Sequence, residues 1–262
     1  MIRAQAMTIR SNHGFSLVEL MLALAAGLVV SLALVAFLMS SFKSNSEYVQ
    51  STRLTQELRN GLDVAARDLR RAGYDENALA KMASGTGSKF ARMLLATEIT
   101  PATVPKTYSC VIYGYDRPNS GACASASGTV DTCNGEVRGL RRVQRTVNNR
   151  PVGVLEYAVS TGGITPSCTG AGPNYTTNPP YLCNAATTWC VLSDPTRLNI
   201  SRFALTDSRV TVDQVQLRDI GISLQGGIAG STEYTRGVRT SVRIRSECFD
   251  SALSNCSAAP SN

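Results

Sequence analysis

From Leu20 to Met39 the chain carries no charge and almost every position is apolar, with Glu19 standing at the head of the run. A stretch of about twenty such residues has the length of a helix that crosses a bilayer. An acid near the centre of a membrane helix costs roughly 2.5–3.5 kcal/mol on insertion scales, so an acid in such a segment ordinarily has a partner and a role. Beyond Met39 polar residues enter, yet Val49, Leu54, Leu58, Leu62, Ala65, Leu69 and Ala72 recur at gaps of three to five. That period predicts one continuing helical stripe. Arg53, Glu57, Arg59, Asp63, Arg67, Asp68 and Arg70 lie between and are expected on the wet face. Gly73 sits where a C′ glycine stops a helix. No proline precedes Pro101, so a proline kink is excluded; Gly27 offers a bend and Gly61 a mild flaw.

From residue 74 the pattern shortens to β-like runs between Gly, Ser, Thr, Asn and Pro. Strands are predicted at Tyr108–Tyr115, Val137–Val147, Gly153–Ser160, Trp189–Leu192, Leu198–Thr206, Val215–Gln225 and Val238–Ser246. The last alternates cleanly, Val238, Thr240, Val242 and Ile244 against Arg239, Ser241, Arg243 and Arg245. The phase slips from Ile200 to Phe203 and from Leu217 to Ile220, where a β-bulge or strand break is expected. Two long polar connections, 118–135 and 162–187, hold Cys123, Cys133, Cys168 and Cys183 and are expected to be stapled surface loops. The tail from Ser257 is expected to fray.

Charge and cysteine usage narrow the function. The first fourteen residues contain Arg3, Arg10 and no acid, which places them on the cytoplasmic side and everything after Met39 outside. Translation from Met7 would leave Arg10 alone there. Losing this leader removes two arginines and lowers the formal net charge from +7 to +5, an excess that does not itself argue for nucleic acid. His13, the only histidine, goes with the leader. The mature chain therefore lacks a histidine-based triad or histidine-ligated metal centre. Cys110, Cys123, Cys133, Cys168, Cys183, Cys190, Cys248 and Cys256 contain no C-x-x-C pair, so neither a zinc ribbon nor a thioredoxin-type site has its spacing. Their even number in the exported part reads as disulfides of an oxidising compartment. Short separations favour Cys183–Cys190 and Cys248–Cys256, then Cys123–Cys133. No metal, cofactor or catalytic residue is expected, and the chain is not expected to be an enzyme.

The run Gly14-Phe15-Ser16-Leu17-Val18-Glu19, set directly before the apolar stretch, resembles the class III signal of type IV pilins and pseudopilins. An ordinary signal peptide cut at Ala23-Leu24-Ala25 would leave Ala26–Met39 on the product, and a plain signal anchor leaves Glu19 unexplained. The resemblance implies cleavage after Gly14 by a prepilin peptidase, N-methylation of Phe15 and a role for Glu19 in assembly. Arg67-Asp68-Leu69-Arg70-Arg71-Ala72-Gly73-Tyr74 resembles the helix end of the PilW family of minor pilins. Val238-Arg239-Thr240-Ser241-Val242-Arg243-Ile244-Arg245 resembles the strand that closes such heads, and Gly135–Arg141 and the Trp189 region are looser matches. The implied fold is α+β, a long N-terminal helix packed on an antiparallel β-sheet head with disulfide-stapled loops. The implied organisation is a leader at 1–14, a transmembrane or filament-core helix at 15–39, its amphipathic continuation at 40–73 and a β-rich head at 74–262.

What the resemblance implies for function is a minor pilin that primes a type IV pilus or sits at its tip. Its partners would be other minor pilins, the major pilin and the prepilin peptidase, with a tip adhesin as a further candidate. It would be held in the inner membrane by one span, N-terminus cytoplasmic and head periplasmic, before reaching the pilus and the cell surface. A pseudopilin of a type II secretion system shares the same leader and helix. A third reading is an adhesive or DNA-binding tip subunit, with Arg138, Arg141, Arg142, Arg145 and Arg150 in one segment and Arg239, Arg243 and Arg245 on one strand face as the basic surface, and Tyr113 and Tyr115 as stacking partners. Against it, arginines on a strand's outer face simply keep a sheet soluble, and nucleic acid is not expected as a partner. Trp189, the only tryptophan, is expected in the core rather than at a ligand site.

Overall fold

The computed structural model describes Gly14 and residues 16–85, 87–99, 106–117, 130–176, 181–213, 215–231, 234–244, 248–249 and 256. In chain order the elements are α1 (Leu17–Leu69), α2 (Ala78–Ala83), a 3-10 turn (Lys89–Ala91), β1 (Met93–Glu98), β2 (Thr107–Gly114), β3 (Asn134–Val147), β4 (Arg150–Thr161), β5 (Trp189–Val191), β6 (Leu198–Val212), β7 (Val215–Ile228), β8 (Thr235–Arg243) and β9 (Cys248–Phe249). Contacts divide the chain into two units, Met1–Gln50 and Ser51–Asn262.

In the first unit α1 buries nothing. Every side chain from Leu17 to Ser46 is exposed, including Leu28 at 63% and Phe37 at 70%. The helix runs through Gly27 without a break. Ser31, the hydroxyl within the apolar run, returns its proton to the Gly27 carbonyl at 2.8 Å, which leaves no unsatisfied side-chain donor at that depth.

In the second unit the remainder of α1 lies on the sheet. Leu54, Leu58, Leu62, Ala65, Ala66 and Leu69 recur every three or four residues, form one stripe and are all buried. They share a core with Val111 and Tyr113 of β2, Leu140, Leu155, Phe203, Leu205, Ile220, Ile222, Leu224 and Val242. Full burial of each leucine contributes about 1.5–3 kcal/mol. The helix stops at Leu69, ahead of the expected end. Arg71 and Ala72 make the tighter bonds of a final turn, and Gly73, at φ +82°, donates its N–H to the Gly114 carbonyl at 2.7 Å. The glycine is needed for its left-handed backbone, but its amide ties the chain to β2 instead of closing a helical cap.

The stretch after Gly73 departs from the β-like reading. α2, the 3-10 turn and β1 occupy it, organised by buried Asp75. This carboxylate accepts from the Asn77 amide at 2.8 Å and pairs with Lys81 at 2.6 Å, and the Ser88 hydroxyl also donates to it. These are local side-chain bonds that compete with strand formation.

Among the described residues all strand pairings are antiparallel, in the order β5-β4-β3-β2-β6-β7-β8, with β1 on β2 and β9 on β7. β2 is the branch point, because it pairs with β3 over Cys110–Gly114 but with β6 only through Thr107 and Tyr108. The two wings approach again where the Gly153 N–H donates to Asn199 Oδ1 at 2.8 Å and Arg142 Nε to the Ile200 carbonyl at 3.0 Å. A Cβ on Gly153 would fall 1.9 Å from the Ile200 oxygen, so no other residue fits this approach. The first phase slip is a register shift between Ile200 and Arg202. The second is neither bulge nor break. The ladder is regular there, and Arg218 occupies a buried position in line with Ile220 and Ile222.

The face of the β3–β4–β5 wing turned away from α1 carries further cores. Phe90, Cys110, Ile112, Val130, Val137, Ala158 and Trp189 form one, and Val147, Val152, Val154 and Tyr175 another. The connection from Gly162 packs across them. This wing is thus covered on both sides, by a helix on one and by an irregular segment on the other.

Candidate functional site

Gly14 is exposed in irregular backbone and Phe15 lies outside the described residues. The helical ladder opens with the Leu20 N–H donating to the Ser16 carbonyl at 3.1 Å, which puts Glu19 in the first turn of α1. A carboxylate there meets the positive end of the helix dipole and the unpaired amides of the first turn. Leu17 to Met39 rises about 35 Å at 1.5 Å per residue, enough for a hydrocarbon core of about 30 Å. Glu19 therefore sits at one end of the span rather than in its middle. One helix of the described residues is long and apolar enough to cross a membrane. Side chains this apolar and this exposed need lipid or other helices around them.

The far end of α1 is clamped. Asp68 was expected on the wet face, but it accepts hydrogen bonds from the hydroxyls of Tyr113 and of Tyr115, the latter at 3.2 Å, and from Arg138 at 3.4 Å. The Arg138 guanidinium lies 4.9 Å from the Tyr115 ring centre. Burial, and then the Asp68 charge, push the Tyr113 hydroxyl far above the usual phenol range. Tyr113 and Tyr115 are buried and committed to this clamp, so they are not a stacking surface.

The arginines of β3 are not a basic surface either. Glu156, its side chain 0% exposed, receives Arg141 Nη2 at 2.6 Å and Arg145 Nε at 3.1 Å, and the Tyr175 hydroxyl at 2.9 Å. Arg141 also donates to the carbonyls of Cys168 at 2.9 Å and Gly170 at 2.7 Å, and lies 3.9 Å from the Trp189 ring centre. Burial lowers the Arg141 pKa, offset in part by Glu156, and burial and then the Glu156 charge raise that of Tyr175. With Arg142 bound to the other wing, only Arg150 of this group is exposed on the strand surface. Trp189 is wholly buried, with Nε1 donating to the Ser167 carbonyl at 2.9 Å.

Disulfides fasten the same region. Cys183 joins Cys190, and Cys110 of β2 joins Cys168, 58 residues on, at the segment that Arg141 holds. Cys133 and Cys256 are also disulfide-bonded. Cys123, and the Cys248 side chain, lie outside the described residues, as do the pairings proposed for them. Sequence reasoning missed Asp68 and Glu156. The signal for Glu156 was present: an acid in phase with Val152, Val154 and Ala158 has to be paired once that face is buried.

Comparison with known proteins accounts for both ends of this arrangement. A family described as "Prepilin peptidase-dependent protein B" matches residues 47–244, more than half of the chain. The chain belongs to that family. The "Prokaryotic N-terminal methylation motif" matches residues 9–35, taking in Gly14, Phe15, Glu19 and most of the apolar run. No curated protein and no solved structure matches the chain. In the prepilin peptidase-dependent protein B frame, the matched head begins just before the buried stripe of α1 and closes at Ile244, directly after β8. The chain is a subunit of pilin or pseudopilin type, and its apolar helix fits membrane anchoring.

Proposed function

We propose that this chain is a minor pilin of the PilW kind, a non-enzymatic subunit that helps prime a type IV pilus or forms part of its tip. The observation that carries this reading is the fully exposed apolar helix with a carboxylate in its first turn. Prepilin peptidase cuts between Gly14 and Phe15, and Phe15 becomes the N-methylated terminus. Before assembly the helix spans the inner membrane with the head in the periplasm; afterwards it packs among the helices of other minor pilins and the major pilin.

Glu19 acts in that transfer. Cleavage leaves a positive amino group four residues ahead of it, in a low-dielectric setting where opposite charges attract strongly. A subunit already in place presents the same kind of amino terminus. Neutralising it draws in the incoming subunit and sets axial register, which side-by-side packing of apolar residues cannot do.

Mass spectrometry of the N-terminal peptide, with crosslinked partners identified from the same cells, tests the reading. A methylated Phe15 terminus together with pilus subunits is the expected result. An intact Met1 or a terminus at Ala26 overturns it, and partners drawn only from a secretion system assign the chain there instead.

A further inference from the structure

β8 is paired along one edge. Its register with β7 runs unbroken from Thr235 opposite Gly227 to Arg243 opposite Asp219, and among the described residues no other strand bonds to it. In an antiparallel ladder alternate residues turn their N–H and C=O groups to opposite edges, so about half of those on β8 point away from β7. Natural sheets blunt such edges with charged side chains, proline, bulges or very short strands, and of these β8 has only the charges. β8 has nine residues, no proline and no register shift, whereas β5 at the other end of the sheet has three.

The side chains along this edge are selective. Arg236, on the α1 side, is held by the Ser51 hydroxyl at 3.1 Å, which fixes the start of the strand. On the opposite face Arg239 and Arg243 are exposed, with Ser241 between them. Neither guanidinium has a hydrogen bond or ion pair among the described residues. Asp219 stands across from Arg243 and Ser223 across from Arg239 in the ladder with β7. β8 itself contains no acid.

We propose that the edge of β8 left unpaired among the described residues receives an extended acidic segment of another pilin-like subunit. The segment adds as a further strand, with carboxylates four residues apart on one face to meet Arg239 and Arg243. This rests on the reading of the chain as a filament subunit and adds a contact in the head to those of the helix. Backbone pairing supplies the attachment and the two arginines choose the partner. A second copy is the wrong occupant. Antiparallel pairing of two β8 strands about Ser241 sets Arg239 against Arg243 twice, and like charges directly opposite one another are unfavourable. The arginines thus reject self-association while attracting acids.

The test places p-benzoylphenylalanine at Ser241 of the full-length chain in cells that assemble it, followed by irradiation and sequencing of the linked peptide. The expected adduct is with a different subunit, at a segment bearing two Asp or Glu residues four apart. Arg239→Glu with Arg243→Glu lowers its yield roughly tenfold, and changing the two partner acids to Lys restores it. Adducts only with copies of this chain, adducts to a segment without that acidic pair, an undiminished yield in the double variant, or no adduct overturn the proposal. Processing at Gly14, followed in the same samples, separates the two readings. A cleaved, filament-incorporated chain without the adduct removes the edge contact alone; an uncleaved chain removes the filament reading too.

Discussion

Two carboxylates, Glu19 and Glu156, show how differently the two units of this chain are finished. Glu156 is wholly buried and held by two arginines and a tyrosine. Glu19 is exposed at the head of an apolar surface that no part of its own unit covers. In the wing of the head that holds Glu156 both demands are met within the chain: its apolar faces are covered on both sides and its charges are paired across strands. In the first unit neither demand is met. A sequence that resolves the problem so fully in one place and leaves it open in another has its remaining partners outside the molecule.

The contrast can be broken most directly at its two acids. Glu19→Ala should abolish or sharply reduce incorporation into filaments while membrane insertion, cleavage and the stability of the head stay unchanged; normal surface piliation and copurification would end the assembly argument. Glu156→Ala should do the reverse, destabilising the head by about 3–5 kcal/mol because Arg141 is left buried without its counter-charge. A loss of unfolding free energy smaller than about 1 kcal/mol would mean that the cluster is not what holds this face. Replacing Cys110 and Cys168 by Ala should cost about 2–4 kcal/mol and expose the 162–176 segment to proteolysis first.

Asp75 sharpens the picture through pH. Burial raises its pKa, but Lys81, the Ser88 hydroxyl and the Asn77 amide outweigh that and leave it below the ordinary value. Its contribution to stability is therefore complete above the unfolded aspartate value of about 3.9 and is lost as pH falls through the lower folded value. Asp75→Asn should flatten the stability profile in that acidic window, and an unchanged profile would contradict the assignment. The smallest effect is expected at Gly61, where an added Cβ meets Leu224 and Leu155 at 3.6 and 3.9 Å, ordinary contacts. Gly61→Ala should stabilise the head by about 0.4–1 kcal/mol; destabilisation would show that α1 sits closer to the sheet than these contacts allow.

Much of the fold was legible because period alone carries it. The apolar run, the buried stripe from Leu54 to Leu69 and the alternation around Val242 each repeat at the spacing of their element, and the slip at Ile200 marked a real register shift. The expected α+β arrangement follows from these. What period cannot show is a polar residue that has been turned inward. Asp68 looked solvated because it lies among arginines; Arg218 looked like a break because a charged residue stood in a buried phase. The arginines of β3 looked like a surface until Glu156 and Trp189 were seen opposite them. Pairing by proximity pointed to Cys183 and Cys190, seven residues apart, but had no means to choose Cys168 for Cys110. The N-terminal motif was the clearest signal, since Gly14 to Glu19 owes nothing to tertiary contacts.

The clamp at Asp68 has a mechanical meaning. Tyr113 on β2, Tyr115 just beyond its end and Arg138 on β3 grip a single carboxylate on the last turn of α1, and the Gly73 amide is tied to Gly114 a few residues on. A pull along the helix is therefore shared among several bonds rather than borne by one. Resistance to force is set by the height of the unfolding barrier rather than by equilibrium stability. A head gripped in this way can stay folded under tension that would peel away a helix held by apolar contacts alone.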